Sequence, residues 1–334
     1  MSRPKILVLP PDPLYSQIIV PQVVEVLDSF ADWERNPHNR ELTPEEFAEL
    51  ARGYDGILAS WQRYRVTREL LQGAPRLRMV AHAAGTIKPH VDPEVLKGGF
   101  TFTNAASAIA PYVAEFALCL AIAALRGLGE HVLAMRSERT WGKEQFRPNR
   151  SLFDATVGLV GLGHVGRNLV PLLRPFRCRV LAHDPYLPAE KAQALGVELT
   201  SLERVMSESL VVSLHAANTP ETKGLIGRRE LALMREGAVL VNTARGALLD
   251  HAALLAEVKS GRLRAALDVT DPEPLPGESE LRDVPGVILA PHIAGPTHDR
   301  RWDMAYAAVC DLRAFFRGER PANLVSYEML ENMA

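Results

Sequence analysis

Cysteine is scarce in this sequence. Only three of the 334 residues are cysteines, Cys119, Cys178 and Cys310, and they are widely spaced. An odd, scattered set without a CxxC pair provides neither a disulfide framework nor a metal site. Free thiols are typical of the reducing cytoplasm. We therefore expect a cytoplasmic protein that binds no metal ion.

An excess of charge of either sign is also absent. The 38 basic and 40 acidic side chains give a formal net charge of −2. This balance provides no electrostatic reason to bind nucleic acid or an anionic membrane. We expect neither as a partner.

Long hydrophobic runs are missing as well. The longest run, Phe116 to Leu125, has ten residues, whereas a helix that spans a bilayer needs about 20. The apolar stretch near the N-terminus, KILVLP, is too short for the core of a signal peptide and is cut by prolines. We therefore expect no membrane-spanning segment.

What the sequence does contain is an alternation of strand-like and helical segments. The chain is longer than one hydrophobic core usually allows, so two domains are expected. In the first hundred residues, apolar runs at 5–10, 54–60 and 78–84 read as strands. Helical spacing covers 17–28 and a stretch after Thr67. Such alternation predicts a parallel sheet with helices on both faces.

A second alternating series begins at Thr156. Its six strand-like runs match a doubly wound dinucleotide-binding sheet and cover 156–161, 178–184, 210–216, 238–244, 264–269 and 286–292. Between the two series we expect an apolar helix that starts at Pro111 and ends before Gly127. A last helix near 303–317 should end at Gly318.

A glycine-rich turn lies at the start of the second series. Gly161, Gly163 and Gly166 form the pattern G-x-G-x-x-G directly after a strand and at the start of a helix. These glycines permit a tight turn, close approach of a pyrophosphate, and close packing of helix on strand. Asp184 ends the next strand, where a carboxylate can accept hydrogen bonds from ribose hydroxyls. Because Tyr186 and its neighbours supply no arginine for a 2′-phosphate, the pattern predicts NAD as cofactor.

The position of this turn predicts the domain order. A complete α/β unit precedes it, so the nucleotide domain should be an insertion. We expect a substrate domain over 1–104 plus 297–334 and an NAD-binding domain over 105–296, including a helix and arm at 111–150. The predicted fold class is α/β, with two doubly wound domains that are Rossmann-like or flavodoxin-like.

Five stretches of the chain carry a more specific signal. In order they are VGLVGLGHVGRNL, SLHAANTPETKGLIG, VLVNTARGALLD, ALDVTDPEPLP and LAPHIAGPT. The chain resembles the D-isomer-specific 2-hydroxyacid dehydrogenase family from about Asp55 to about Val325. This resemblance implies an enzyme that uses NAD to interconvert a small 2-oxo acid and a D-2-hydroxy acid. It also implies a homodimer, with the helix at 111–126 and the arm at 130–150 as the contact.

The resemblance implies three catalytic side chains. Arg245 matches the arginine that holds the substrate carboxylate and polarises the ketone, which suits a bidentate guanidinium. His292 matches the general acid and base. Glu273 matches the carboxylate that orients this histidine and favours its charged form. Asp271 is the nearby alternative to Glu273.

The remaining site residues are also implied by the resemblance. Besides the three glycines and Asp184, the residues expected to line the cofactor are His164, Val165, His215, Thr219, Thr243, Ala244, Asp268 and Gly295, with Asp268 bonded to the nicotinamide carboxamide. The backbone amides of Ala84 and Gly85 match those that hold the substrate carboxylate, although the following segment is longer than usual. Trp61 stands where phosphoglycerate-specific members place an arginine. This favours a substrate without phosphate, unless the indole only packs.

Two alternatives stay open. An NAD-sensing binding protein on the same scaffold, like the C-terminal-binding-protein corepressors, retains the same three side chains, although we expect no long tail here. A formate or phosphite dehydrogenase is the alternative within the same class of enzyme. Formate dehydrogenases carry glutamine where Glu273 stands, which disfavours the formate activity.

Overall fold

The computed structural model describes residues 3–139, 141, 148–331 and 333. The chain forms two compact units. Unit 1 consists of Met1–Ile109 and Pro296–Met333, and unit 2 consists of Ala110–Gly295. Unit 2 is thus inserted into unit 1. The first boundary lies at 109/110, inside a helix, rather than at 104/105.

Unit 1 contains a five-stranded sheet in which all paired strands are parallel, in the order β2-β1-β3-β4-β5. The strands are β1 (Lys5–Val8), β2 (Asp32–Arg35), β3 (Gly56–Ala59), β4 (Met79–His82) and β5 (Thr101–Asn104). The three expected strands, β1, β3 and β4, are central and almost wholly buried, so each reads as an apolar run. The edge strand β2 has the sequence DWER and is half exposed, which explains why no apolar run marks it.

Short helices cover this sheet. They are α1 (Leu14–Ile18), α2 (Pro21–Asp28), α3 (Pro44–Ala51), α4 (Arg68–Gly73) and α5 (Pro93–Lys97), with a 3₁₀ turn at Lys88–His90. The helix expected over 17–28 is two helices, because Pro21 has no N–H to continue α1 and instead begins α2. Thr67 caps α4, as its hydroxyl accepts the amide of Leu70.

Helix α6 (Ala106–Leu125) begins earlier than the sequence indicated. Asn104 Oδ1 accepts a hydrogen bond from the amide of Ala106, and the carbonyl of Ala105 accepts the amides of Ala108 and Ile109. These hydrogen bonds start the helix before Pro111. By its length of 20 residues and its composition alone, α6 could cross a membrane. The ten-residue apolar run in the sequence, Phe116 to Leu125, did not indicate this. Six of its buried side chains from Ala114 onward pack in the core of unit 2, as expected for a core helix.

The segment after α6 starts with α7 (Leu128–Leu133) and one π-helical turn, Ala134–Glu138. Glu130 forms a buried ion pair with Arg264, which anchors this segment to the sheet of unit 2. Most of the remaining arm expected over 130–150, namely 140 and 142–147, lies outside the described residues.

Unit 2 contains a seven-stranded parallel sheet in the order β12-β11-β10-β9-β6-β7-β8. The strands are β6 (Thr156–Val160), β7 (Arg179–His183), β8 (Glu198–Leu199), β9 (Val211–Leu214), β10 (Val239–Asn242), β11 (Arg264–Leu267) and β12 (Val287–Leu289). All six expected strands are confirmed, and the two-residue edge strand β8 is added. The strand order reverses between β6 and β9, and such a switch point is where doubly wound sheets bind ligands.

Helices cover both faces of this sheet. They are α8 (His164–Leu173), α9 (Ala189–Leu195), α10 (Leu202–Glu208), α11 (Arg228–Leu233) and α12 (His251–Lys259), with 3₁₀ turns at Arg174–Phe176, Gly246–Leu248 and Glu280–Arg282. One apolar core includes α6 and α8, and the other includes α10, α11 and α12.

The chain then returns to unit 1. Helix α13 (Trp302–Phe316) packs against α2 and β4, with Met304, Ala308 and Leu312 fully buried. It ends at Gly318, which has a φ of 78°, as the sequence predicted. The last helix is α14 (Tyr327–Glu331). The fold is therefore two parallel-sheet α/β domains, one inserted in the other.

Candidate functional site

The glycine turn has the geometry that a pyrophosphate needs. Gly161 has a φ of +92°, and a Cβ there would lie 2.6 Å from the amide nitrogen of Ala216. A Cβ on Gly166 would lie 2.7 Å from the carbonyl oxygen of Gly161. No described residue lies within 4 Å of a Cβ on Gly163, so the backbone there is open to a ligand at the N-terminus of α8. His164 and Val165 form the first turn of that helix.

Asp184 closes the same turn from the next strand. Its Oδ2 accepts the amide of Leu162 at 2.8 Å, and its Oδ1 accepts the amide of Tyr186 at 3.0 Å. The carboxylate is therefore held in one orientation beside the glycine turn, at the carboxyl end of β7. This is where a ribose-binding carboxylate is expected.

Two polar side chains at the same sheet edge lack a partner among the described residues. Both ring nitrogens of His215, directly after β9, and the hydroxyl of Thr243, directly after β10, are shielded and unbonded. Burial lowers the pKa of His215 to about 4, so its ring is neutral at physiological pH. Buried polar groups are normally hydrogen-bonded, so these atoms fit a polar cofactor.

Other expected cofactor residues border this edge. The amide of Thr219 donates to the hydroxyl of Thr222 at 2.8 Å, which closes the loop after β9. The amide of Ala244 donates to Asn242 Oδ1. Gly295 is the last residue of unit 2, with open space where a Cβ would stand.

The turn that carries Arg245 is fixed by its neighbours. The buried Asn242 accepts the amide of Ala244 through Oδ1, at 3.0 Å, and donates through Nδ2 to the carbonyl of Arg245, at 2.9 Å. Gly246 follows, and a Cβ there would lie 2.0 Å from the carbonyl carbon of Thr270. Burial lowers the pKa of Arg245, and the nearby charge of Glu273 opposes this shift. The guanidinium stays charged and is preorganised for an anion.

His292 and Glu273 form a hydrogen-bonded pair. His292 Nδ1 lies 2.5 Å from Glu273 Oε1, and both side chains are about half exposed, at 50% and 41%. His292 has a φ of 56°, a left-handed conformation that is uncommon for residues other than glycine. Because Nδ1 is engaged, Nε2 is the ring atom available to exchange a proton with a ligand.

Asp268 lies beneath this histidine and is 2% exposed. Its Oδ1 accepts the amide of Ile293 at 2.8 Å, and its Oδ2 accepts the amide of Ala294 at 3.0 Å. Both oxygens thus have backbone partners, whereas the sequence predicted a bond to the cofactor. That expected bond stays a prediction.

In unit 1 the expected substrate loop follows β4. Ala84 is 1% exposed, and its amide donates to the carbonyl of His82 at 2.8 Å, so it is not available to a substrate carboxylate in this conformation. The amide of Gly85 donates no hydrogen bond within the described part of the chain. The expectation for Ala84 stays a prediction, and in this structure a local turn uses its amide.

Trp61, after β3, is half exposed. The guanidinium of Arg301, on the segment that precedes α13, lies 5.9 Å from its ring centroid. Arg301 also donates to Gln17 Oε1. Trp61 is therefore not simply a core residue, and a cation lies beside it.

The sequence interpretation missed Asn242 and Gly246. Both lie inside the quoted NTARG stretch, and a glycine directly after a candidate catalytic arginine was the available signal. The charged residues and histidines that the sequence predicted for the site in unit 2 follow the strands of one parallel sheet. They therefore lie at its carboxyl edge.

Known proteins have sequences similar to this chain. Residues 118–294 match the family model described as "D-isomer specific 2-hydroxyacid dehydrogenase, NAD binding domain". The chain is 33% identical to a glyoxylate reductase of Aeropyrum pernix over 99% of its length and 98% of that protein. It is 32% identical to a D-3-phosphoglycerate dehydrogenase of Methanocaldococcus jannaschii over 85% of its own length, but it spans only 54% of that longer relative.

Comparison with a solved structure agrees with these sequence matches. The fold superimposes on D-2-hydroxyisocaproate dehydrogenase with a TM-score of 0.82 and 26% identity, covering 96% of this chain and 99% of that one. The matched model is an NAD-binding domain, and the glycine turn and unpaired polar atoms fit that group, so the cofactor is NAD. The chain belongs to the D-isomer specific 2-hydroxyacid dehydrogenase family.

Proposed function

We propose that this protein is an NAD-dependent dehydrogenase that interconverts a 2-oxo acid and a D-2-hydroxy acid. The observation that carries the proposal is the pair of His292 Nδ1 and Glu273 Oε1, 2.5 Å apart, together with the half-buried Arg245, whose charge interacts with the same carboxylate. A fixed guanidinium and a histidine with one free nitrogen are what reduction of a 2-oxo acid requires. The D configuration follows from the family.

Arg245 binds the substrate carboxylate. A guanidinium can form two parallel hydrogen bonds with a carboxylate, which sets the orientation of the neighbouring ketone. The backbone around Arg245 is locked by Asn242 and by the close contact of Gly246 with Thr270. Little reorganisation is therefore needed when the substrate binds.

His292 transfers the proton. Glu273 holds Nδ1, so Nε2 donates a proton to the ketone oxygen during reduction and accepts it during oxidation. The carboxylate stabilises the imidazolium without becoming protonated. NAD, when bound, supplies or accepts the hydride, and the protein supplies orientation and charge.

The substrate we propose is small and carries no phosphate. Trp61 offers an aromatic face where phosphoglycerate-specific relatives would need an arginine, and an indole cannot pair with phosphate. The guanidinium of Arg301 lies 5.9 Å from the ring centroid of Trp61 and donates to Gln17, so the phosphorylated acid in the substrate panel tests whether this cation binds a phosphate instead. The residue assignments for Gly85 and Trp61 rest on the family resemblance alone.

We also propose that unit 2 is the NAD-binding domain, that unit 1 is the substrate domain, and that the enzyme is a cytoplasmic homodimer. Apolar side chains that are 42–53% exposed lie together on and just after α7 and would be covered by a second copy; they are Leu128, Val132, Leu133 and Met135. Analytical ultracentrifugation tests this. A monomer at micromolar concentration would contradict the dimer.

Turnover with a substrate panel tests the activity. NADH oxidation is measured with glyoxylate, pyruvate, 2-oxoisocaproate, phenylpyruvate and 3-phosphohydroxypyruvate, and chiral chromatography identifies the product. We expect turnover of at least one unphosphorylated acid and little with the phosphorylated one. NADH binding without any turnover would instead indicate the cofactor-sensing alternative.

A further inference from the structure

Three consecutive backbone amides bond to a single residue beneath the site. The amide of His292 donates to the carbonyl of Asp268 at 2.9 Å. The amides of Ile293 and Ala294 donate to the two carboxylate oxygens of the same residue, at 2.8 Å and 3.0 Å. Asp268 is itself fixed, because its amide donates to the carbonyl of Asn242.

This arrangement fixes an uncommon backbone conformation. His292 has a φ of 56°, which is unfavourable for a residue with a Cβ unless its surroundings hold it there. The three hydrogen bonds begin at this residue and continue through the next two. They therefore determine the direction in which the imidazole leaves the backbone, and hence its contact with Glu273.

The carboxylate also needs these amides. Asp268 is 2% exposed, and a buried charge is costly unless hydrogen bonds compensate it. Each oxygen has one backbone donor, and charge-assisted bonds of this kind are stronger than neutral ones. The geometry thus couples a buried negative charge to the position of the proton-transfer residue.

We propose that Asp268 is the positioning residue of His292, in addition to any contact that it makes with the cofactor. The proposal rests on the proposed function, because the orientation of His292 affects the reaction only if His292 transfers the proton. It assigns Asp268 an effect on proton transfer, whereas a residue that only binds the nicotinamide carboxamide would affect cofactor affinity.

The substitution Asp268→Asn separates these two effects. An amide keeps the size, but its NH₂ group must face one of the two donating amides, so one bond becomes a repulsion. We expect kcat for the 2-oxo acid to fall on the order of 10²-fold, since small misplacement of a reacting group has that effect. The Kd for NADH, measured by fluorescence, should change by a smaller factor than kcat.

Asp184→Asn is the matched control. The Asp184 carboxylate also accepts two backbone amides, from Leu162 and Tyr186, but it lies beside the glycine turn. The same chemical change there should raise the Kd for NADH, which is the pattern expected of a residue that acts on the cofactor alone. If Asp268→Asn gave this second pattern instead, the positioning role would be overturned.

A spectroscopic measurement reports the histidine directly. In ¹⁵N-histidine-labelled protein, the ring signals of His292 are identified among the ten histidines by their loss in His292→Gln. The Nδ1 signal should report a hydrogen bond in the parent and lose it in Asp268→Asn. An unchanged ring signal in the folded variant would contradict the proposal.

The parent protein provides a test that needs no stable variant. The amides of Ile293 and Ala294 should be protected from hydrogen exchange both without and with NADH. Loss of protection on NADH binding would mean that the carboxylate leaves these amides for the cofactor, and would overturn the proposal. An inactive parent would contradict only the proposed function, because the exchange and ring-signal measurements require no turnover.

Discussion

Gly246 and Thr270 are in backbone contact: a Cβ on Gly246 would lie 2.0 Å from the carbonyl carbon of Thr270 and 2.1 Å from its oxygen. Gly246 directly follows Arg245, and Thr270 lies three residues before Glu273. The contact therefore sets the spacing between the two loops that carry these charges. It leaves no room for any side chain at position 246.

The first prediction concerns this contact. Gly246→Ala should reduce the free energy of unfolding by about 3 kcal/mol, at the upper end of overpacking effects, because neither backbone can move freely. Urea unfolding measures the loss. Gly277→Ala is the control, because nothing in the described part of the chain lies within 4 Å of its Cβ, and it should stay within about 0.5 kcal/mol of the parent. Equal stability of both variants would show that the loops can separate without cost.

The second prediction concerns Arg245. Arg245→Lys keeps the charge but loses the bidentate fork, so kcat/KM for the 2-oxo acid should fall on the order of 10²–10³-fold. NADH affinity should be nearly unchanged. Arg229→Lys, an exposed arginine paired with Glu203, should behave as the parent. Retained kcat/KM, or a loss confined to NADH binding, would contradict the assigned role.

The third prediction concerns the choice of cofactor. The Asp184 carboxylate is held beside the glycine turn, and a 2′-phosphate near it would meet like charge. NADH should be preferred over NADPH by at least about tenfold in kcat/KM. Asp184→Ala should narrow this ratio. Comparable kcat/KM for the two cofactors in the parent would contradict the prediction.

The fourth prediction concerns acid stability. Burial lowers the pKa of His82 to about 3, with a smaller contribution from His90. Below about pH 6.5 the unfolded chain takes up a proton that the folded chain does not, so stability falls with pH by about 1.4 kcal/mol per unit until the folded pKa. Urea unfolding at pH 7, 6 and 5 should show a slope that includes this contribution from His82 and a similar one from His215, whose pKa burial lowers to about 4. It should be smaller in His82→Gln, which can still bond Tyr64, and unchanged in the exposed-site control His38→Gln. Parallel slopes in all three proteins would show that His82 is not responsible.

The sequence was sufficient for the interior of both sheets. Central parallel strands such as β4 and β10 are buried on both faces and are marked by apolar residues. The edge strands β2 and β8 lack such runs because solvent covers part of them. The start of α6 depended on Asn104 and Ala105, which bond its first amides, and proline position alone indicated the wrong residue.

For the site, the sequence identified side chains but not their supports. Arg245, Glu273 and His292 are recognisable because their types and neighbouring residues are distinctive. The role of Gly246 depends on a strand-end loop 24 residues away in sequence, and that of Asp268 on amides 25 and 26 residues away. Such contacts follow from the folded backbone, and no local pattern specifies them.

The last prediction tests the pair of His292 and Glu273. Reduction requires the imidazolium as proton donor, whereas oxidation requires the neutral ring as acceptor. Glu273 stabilises the imidazolium through the Nδ1 contact, and Glu273→Gln preserves the shape while removing the charge. The rate of reduction should therefore fall in the variant, because the proton donor loses the carboxylate that holds it and stabilises its charge. Oxidation at high pH should suffer less. His292→Ala removes the proton carrier and should reduce the rates of reduction and oxidation on the order of 10²–10⁴-fold.

The measurement is the pH profile of kcat/KM for the 2-oxo acid, with Asp271→Asn as the matched control on the same loop. If the Glu273→Gln profile overlays that of the parent while Asp271→Asn shifts it, the carboxylate that serves His292 is Asp271, and the contact seen here is not the one used in catalysis.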